Sequence, residues 1–323
     1  MSANATAKPL VSFVIPVLNG EQYIARCLLS IRNQHDAGGA SEVLILDNGS
    51  TDRTHQIIRD LGFDFQLAPE LNVSALRNRG AAMVQGDYVA FVDSDVELTP
   101  HWLQHGLAAF RDRKVVASGC FPDVPKDATW VQQTWDLHQR GRQSEAELTP
   151  VSWLSSMNLL VRRDDFLAVS GFNESLETAE DVDLCYRLGQ RGTILYNPAM
   201  KAVHWGEASD LGRFWRKEVW RGLGNLRGVL SHGLRWDELP SLGYPLYVLC
   251  LVLFSGLGVL FDLWHQQVLL TPLCLFLLMV PALLLAVHTA RLVRRPGAIP
   301  KLLLLYLLYG GARAYAITKA WIA

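Results

Sequence analysis

Apolar runs and amphipathic stretches alternate along the first two-thirds of the chain, and they predict a strand–helix–strand order. Leu10–Val17 is a short apolar run closing on Pro16 and Asn19-Gly20, which reads as a buried strand and a turn. Tyr23, Cys27, Leu28 and Ile31 then recur at helical spacing, and Val43–Leu46 is a second strand ending in Asp47-Asn48-Gly49-Ser50-Thr51-Asp52. A helix over Arg53–Leu61, a strand over Phe63–Leu67 and a helix over Val73–Val84 follow. Gly86-Asp87 leads into a strand that ends at Asp93-Ser94-Asp95. Alternating elements of this kind predict a mostly parallel sheet covered on both faces, with ligands at the carboxyl ends of its strands. Asn19, Asp47, Asp93 and Asp95 all fall at such ends.

Beyond Pro100 the pattern predicts a helix over Trp102–Arg111 and a strand over Val115–Gly119. A polar excursion follows from Phe121 to Pro150, helical around Trp130–Arg140. Leu159–Arg162, Ile194–Tyr196 and Lys201–His204 read as strands, Arg163–Val169 and Glu180–Arg191 as helices.

Near Leu242 the pattern changes. From there to Ala323 the only acidic residue is Asp262. Segments 242–263 and 268–288 are each long enough to cross a bilayer core of about 30 Å. The third, 302–320, is weaker, because Gly310-Gly311 interrupts it and Arg313 and Lys319 lie within it. Leu211–Leu226 reads as an amphipathic helix, with Leu211, Trp215, Val219, Leu223 and Leu226 on one side and Arg213, Arg216, Lys217 and Arg221 on the other. Such a helix either lies on an anionic membrane surface or packs on its own domain with the charges in solvent. The expected organisation is a catalytic domain over 1–208, an interfacial helix and linker over 209–240, and a membrane domain of two to three spans over 241–323.

Basic residues set the orientation. Arg213, Arg216, Lys217, Arg221, Arg227 and Arg235 precede the first span, and Arg291, Arg294, Arg295 and Lys301 follow the second. His265-Gln266-Gln267 between the spans has no Lys or Arg. The positive-inside rule then expects a multi-pass protein of the cytoplasmic (inner) membrane with its N-terminal domain on the cytoplasmic face. Met1–Pro9 lacks an apolar signal region, which agrees with that expectation. The five cysteines are scattered and form neither a zinc pattern nor a disulfide framework. A net charge of −1 offers no basic surface for nucleic acid.

The chemistry centres on Asp93 and Asp95. Residues two apart on extended backbone point the same way, so both carboxylates address one region. Two such anions repel unless a proton or cation lies between them, and hard oxygen donors suit Mg²⁺ or Mn²⁺.

Taken together the ordered blocks resemble the family 2 glycosyltransferases, an inverting group with the GT-A fold. They are Phe13–Gly20, Leu46–Asp52, Asn72 with Leu76–Gly80, Gly86-Asp87-Tyr88, Asp93-Ser94-Asp95, Ser170–Glu174, and Glu180–Leu184 with Arg187 and Gly192. The resemblance spans about Leu10–Gly206. It departs at Ala75-Leu76-Arg77, where Ala-Arg is usual, and at Asn173, where Asp is common. The resemblance implies a Rossmann-like, mostly parallel GT-A domain followed by a helical transmembrane tail. It places Pro16, Asn19, Glu21, Asp47, Arg77 and Asp93 at the nucleotide-sugar, and Asp95, Asp93 and His204 at a Mn²⁺ or Mg²⁺ ion. Asp47 would accept from the nucleobase or ribose, and Arg77 would pair with base or phosphate. An inverting transfer needs a carboxylate opposite the leaving diphosphate, and Asp181 at a helix start is the expected general base.

The expected donor is a nucleotide-diphosphate sugar, and the tail points to a lipid-linked or saccharide acceptor in cell-surface polysaccharide or glycolipid synthesis, a polyprenyl phosphate being one alternative. Arg213-Phe214-Trp215-Arg216 is not the Gln-x-x-Arg-Trp block of processive synthases, so transfer of a single sugar is expected. A nucleotidyltransferase would carry a basic Gly-rich loop where Val17-Leu18-Asn19-Gly20-Glu21 stands. A silent scaffold would not require Asp93, Asp95 and Asp181 together. No oligomeric state follows from the pattern.

Overall fold

The computed structural model describes residues 10–34, 41–140, 148–176, 178–232, 239–266 and 268–322. The N-terminal stretch read for a signal region, part of the polar excursion, Arg235 and Gln267 lie outside the described residues. The chain forms two compact units: Met1–Pro125 with Ser144–Glu207, and Lys126–Gln143 with Ala208–Ala323.

The first unit begins with β1 (Val11–Val17), α1 (Ile24–Arg32), β2 (Ser41–Asp47), α2 (Thr54–Asp60) and β3 (Phe65–Leu67). It continues through α3 (Val73–Met83), β4 (Tyr88–Val92), β5 (Val96–Leu98), α4 (Trp102–Ala109) and β6 (Val115–Gly119). After α5 (Trp130–Arg140), which belongs to the second unit, come β7 (Thr149–Pro150), β8 (Asn158–Arg162) and α6 (Arg163–Ala168). The unit closes with α7 (Glu180–Gly189), β9 (Thr193–Tyr196) and β10 (Ala202–His204).

Eight strands share one sheet in the order β3-β2-β1-β4-β8-β6-β9-β7. β1 runs parallel to β2 and β4, β2 parallel to β3, and β6 parallel to β9. β8 is antiparallel to both β4 and β6, and β7 to β9. The sheet is thus mixed but mostly parallel. Every residue of β1 is buried, which explains its unbroken apolar run: a strand covered on both faces has no solvent side to alternate with. Because β2, β1 and β4 are parallel neighbours, Asp47, Asn19 and Asp93 emerge side by side at one sheet edge, with strands about 4.8 Å apart.

A second, two-stranded sheet was not legible in the sequence pattern. β5 pairs antiparallel with β10, and Val96 lies opposite His204. This pairing carries His204 to the residue just after Asp95. Helix α3 starts at an Asn72 cap whose Oδ1 accepts from Ala75 N at 2.9 Å, a contact worth about 1 kcal/mol. Asn72 Nδ2 and Asn78 Nδ2 also donate to the carbonyls of Glu174 and Phe172, tying α3 to the loop before α7.

The second unit consists of α5, α8 (Leu211–His232), α9 (Leu239–His265), α10 (Leu270–Leu292) and α11 (Ile299–Ile322). Its core gathers Val131 and Trp135 of α5, Phe214 of α8, and Leu302, Leu305 and Tyr306 of α11. Ala282, Ala286 and Ala290 of α10 join it at helical spacing, small enough for close helix approach. Helix α5, expected in the catalytic domain, therefore packs with the other helices through Val131 and Trp135.

The buried face of α8 differs from the expected apolar stripe. Trp215, Val219 and Leu223 are half-buried, whereas Phe214, Glu218 and Gly222 are buried. Glu218, 1% exposed, takes Arg313 Nη2 of α11 at 2.9 Å and Arg221 Nη1 at 2.8 Å. A cation in α11 thus selects the face of α8. Gly222 leaves no room for a side chain, its Cα facing Ala316 and Arg313.

Helices α9 and α10 contain two segments apolar enough to cross a membrane, Leu242–His265 and Leu270–Leu292, with mean hydropathy 2.3 and 2.5 and little of either buried within the protein. At 1.5 Å per residue each extends about 35 Å. Asp262 accepts from the backbone amides of Leu269, Leu270 and Thr271, so the one acid of the tail caps the start of α10.

Candidate active site

The loops after β1 and β2 are bound to each other. Asn19 adopts a left-handed backbone at φ 51°, donates its amide to Ser50 Oγ at 2.8 Å, and accepts from Thr51 N at 2.9 Å. Gly20 N donates to Thr54 Oγ1, and Glu21 Oε2 accepts from Arg53 Nε at 3.1 Å. Pro16 sits within β1 opposite Leu46, next to the strand's last residue, Val17. Asn19 and Glu21 therefore shape this edge by holding two loops together.

Asp47 is fully buried. Its Oδ1 accepts from Gly49 N at 2.9 Å and Ser50 N at 2.8 Å, and lies 3.0 Å from His55 Nε2. Burial pushes this carboxyl up, but donors from Ser50, His55 and Gly49 outweigh it and hold the group below its ordinary value. Oδ2 is buried with no donor among the described residues. An acceptor left this way costs on the order of 1–3 kcal/mol.

Arg77 is 3% exposed and bridges two parts of the chain. Its Nη2 donates to Asp93 Oδ1 at 2.6 Å, and its Nη1 to Glu180 Oε1 at 3.0 Å. The guanidinium stands over the Phe172 ring at 5.3 Å. Both terminal nitrogens of Arg77 thus serve protein carboxylates, where the resemblance implied a base or phosphate. The fork positions Asp93, and it draws the start of α7 toward the end of β4.

Asp181 follows Glu180 in the first turn of α7, behind Ala179 at φ 63°. A left-handed alanine costs on the order of 1 kcal/mol or more, a strain typical of functional loops. Burial and the adjacent Glu180 push the Asp181 carboxyl up to about 7, while the Val182 amide and Arg77 pull the other way. Asp183 acts structurally and pairs with Arg187, whose guanidinium also donates to the Gly171 carbonyl at 2.6 Å.

At the other side of Asp93, Asp95 Oδ2 lies 3.2 Å from His204 Nε2. Asp95 O accepts from Trp205 N at 2.9 Å, and Gly206 presses so closely on Asp95 that a Cβ there would collide with the carboxylate. Burial draws the His204 imidazole down, but Asp95 and Glu207 overcome that and raise it to about 9. Cys27, which approaches Asp93 O at 3.5 Å, is an inert thiol: burial pushes it well above its ordinary range, and Asp95 and Asp93 add to that.

Among the described residues no group of three or more His, Cys, Asp and Glu side chains forms a complete metal site. The Asp95–His204 pair nevertheless suits part of one. Ligands about 2.1 Å from an octahedral ion stand about 3 Å from each other, close to the observed separation. A partial set of this kind leaves positions for phosphate oxygens and water.

Residues 12–168 match the family model described as Glycosyl transferase family 2. This domain belongs to that family. The family 2 domain is similar to validoxylamine A glucosyltransferase of Streptomyces hygroscopicus subsp. limoneus, 28% identical over 57% of this chain and 49% of the relative. It is also similar to the pre-mycofactocin glycosyltransferase of Mycobacterium tuberculosis (strain CDC 1551 / Oshkosh), 31% identical over 60% of this chain and 42% of the relative. The chain spans about half the length of these two curated relatives. In fold it resembles the Pyrobaculum calidifontis mannosyltransferase PcManGT, solved with GDP-Man and Mn²⁺. That likeness has a TM-score of 0.61 and 16% identity, over 96% of this chain and 88% of that one. The family 2 domain therefore has a GT-A fold.

Of the residues picked out in the sequence, Arg77 and Asp93 meet through one ion pair, and Asp95 and His204 through another. Asn19, Glu21 and Asp47 belong to a neighbouring loop pair, joined to the first group through the adjacency of β1 and β4. Sequence reasoning overlooked Glu180 as the second partner of Arg77, His55 beside Asp47, and Trp205 and Gly206 around Asp95. No local signal marks them, because each acts on a residue that is distant in sequence or lies in another element.

Proposed function

We propose that the chain is a membrane-anchored inverting glycosyltransferase. It moves one sugar from a nucleotide-diphosphate sugar to a lipid-linked or saccharide acceptor. The observation that carries this reading is the Arg77 bridge: one buried guanidinium joins Asp93, beside the Asp95–His204 pair, to the acidic start of α7 that bears Asp181.

In this reading Pro16, Asn19, Glu21 and Asp47 line the nucleotide side, and the undonated Oδ2 of Asp47 accepts an N–H of the base or a ribose hydroxyl. Asp93, fixed by Arg77, faces ribose and diphosphate. Asp95 and His204, with Asp93 beside them, would hold Mn²⁺ or Mg²⁺, which when bound neutralises charge on the departing diphosphate. Asp181 takes the proton of the acceptor hydroxyl as its oxygen bonds to the anomeric carbon. The carbon–oxygen bond to the diphosphate breaks, the electron pair leaves with the phosphate, and the anomeric configuration inverts. A carboxyl held near 7 is suited to this role, because a base works best with its pKa near the operating pH.

The two apolar helices supply the anchor, and the distribution of basic residues supports a cytoplasmic-membrane location with the catalytic unit on the cytoplasmic face. In α11, Arg313 is engaged with Glu218 and much of the helix is buried in its unit, which supports two spans with α11 packed beside them. A membrane location favours a lipid-borne acceptor.

The test is a screen of nucleotide sugars against a membrane lipid extract, with product mass measured for wild type and D181N. A new lipid or saccharide species gaining one sugar mass, absent with D181N, is expected. Turnover retained in D181N, or the absence of any transfer or hydrolysis across the donor panel, overturns the reading.

A further inference from the structure

The segment His204-Trp205-Gly206-Glu207 contains one acid that the mechanism above leaves unused. Glu207 Oε1 lies 3.3 Å from His204 Nδ1, and the two side chains are 11% and 8% exposed. On its far side the same ring presents Nε2 to Asp95 Oδ2 at 3.2 Å. The imidazole therefore stands between two carboxylates, one at each nitrogen. A neutral imidazole offers a lone pair at Nε2 only when its proton is on Nδ1, and a buried Nδ1–H needs an acceptor. Glu207 is in place to be that acceptor.

The backbone of this segment is fixed without help from Glu207. His204 N donates to Asp123 O at 2.9 Å, and Trp205 N to Asp95 O at 2.9 Å. The Trp205 indole donates to Glu97 Oε2 at 2.9 Å, its ring stacks on Tyr23, and Arg26 lies over it at 4.2 Å. With the main chain pinned by these contacts, the Glu207 carboxylate is placed to set the rotation of the ring and to hold its Nδ1–H.

We propose that Glu207 is a positioning residue that holds the Nδ1–H of His204 with Nε2 turned toward Asp95, so that a divalent cation can take the place of the Nε2 proton, and so sets the affinity of this pair for that cation. The inference rests on the proposed reading of Asp95 and His204 as cation ligands. Carboxylates that orient a metal-binding histidine commonly account for about 10- to 100-fold in affinity.

The experiment measures Mn²⁺ binding by electron paramagnetic resonance on the full chain in detergent, with UDP and, separately, GDP present as probes. Wild type, H204A, E207A and E207Q are compared, with thermal unfolding and metal-free nucleotide affinity recorded for each. E207A is expected to weaken Mn²⁺ binding about 10- to 100-fold, approaching H204A, with melting and metal-free nucleotide binding held near wild type. E207Q keeps an acceptor for Nδ1–H and is expected to lose less, at least about threefold. Wild-type Mn²⁺ affinity in E207A, with H204A impaired, overturns the role of Glu207 and leaves the cation site standing. Wild-type affinity in H204A overturns the cation site, and this inference with it. If E207A does not fold, E207Q decides, and an affinity equal to wild type overturns the proposal.

Discussion

Replacing Gly206 with alanine tests the geometry around Asp95 with a single added methyl. An alanine Cβ at this position would lie 2.9 Å from Asp95 Cγ and 3.2 Å from His204 Nε2. It would overlap Asp95 Oδ2, the atom nearest to it, outright, so restoring an ordinary contact near 3.5 Å makes the carboxylate swing away by more than about 1 Å. Gly206 has no left-handed backbone that would add strain of its own, and the obstructed atoms are the end of a side chain. The protein should therefore fold with a melting temperature near wild type and with Asp95 turned away from His204. Displacing a group at the reacting centre by about 1 Å costs about 10²-fold, or about 2.7 kcal/mol of transition-state stabilisation. The assay is kcat/KM for transfer, or for hydrolysis of the nucleotide sugar, across a Mn²⁺ titration. G206A should need more Mn²⁺ for half-maximal rate and should lose about 10²-fold at fixed subsaturating metal. A variant within about threefold of wild type at every Mn²⁺ concentration would refute the reasoning, since the methyl could then be accommodated without moving Asp95.

D181N should lower kcat by about 10²- to 10⁴-fold and leave nucleotide affinity nearly unchanged, as measured by calorimetric titration. In the wild type, rate should climb as pH rises through about 7, because only the ionised Asp181 accepts the proton. Folding raises this carboxyl above its ordinary 3.8, so its stabilising contribution is complete below that value and is lost as pH rises through 7. D181N should accordingly melt higher than wild type at pH 8, with the gap narrowing toward pH 4. R77K keeps the charge but not the fork that reaches Asp93 and Glu180 together, and it should lose about 10²-fold in kcat/KM while remaining folded by circular dichroism. E218A leaves the cations of Arg221 and Arg313 without their shared carboxylate and should destabilise the helical unit by about 3–5 kcal/mol, read as a lower melting temperature in detergent.

The sheet was legible because buried strands that end in acids leave a plain signature: Asp47 and Asp93 each close an apolar run, and their strands lie beside β1. The helices at Val73–Met83 and Glu180–Gly189 were visible from spacing and from acids in a first turn. What escaped notice depends on long-range pairing. β5 is three residues long and has no pattern of its own, and it becomes a strand because β10 arrives opposite it. The Arg77–Glu180 contact joins residues 103 apart, and neither charge announces the other. On α8, hydrophobicity favoured the face carrying Leu211, Trp215 and Val219. The observed face includes an acid because Arg313, 95 residues later, removes the cost of burying it.

The α5 excursion has a practical consequence. The chain leaves the sheet-bearing unit after Pro125, contributes Val131 and Trp135 to the helical core, and is back in the sheet at β7 before departing again after Glu207. No single cut separates the sheet-bearing unit from every segment of the helical one. A fragment truncated at Glu207 would still carry Lys126–Gln143, with an indole and aliphatic groups stripped of the helices that shield them, and it should aggregate on expression unless that insert is shortened as well.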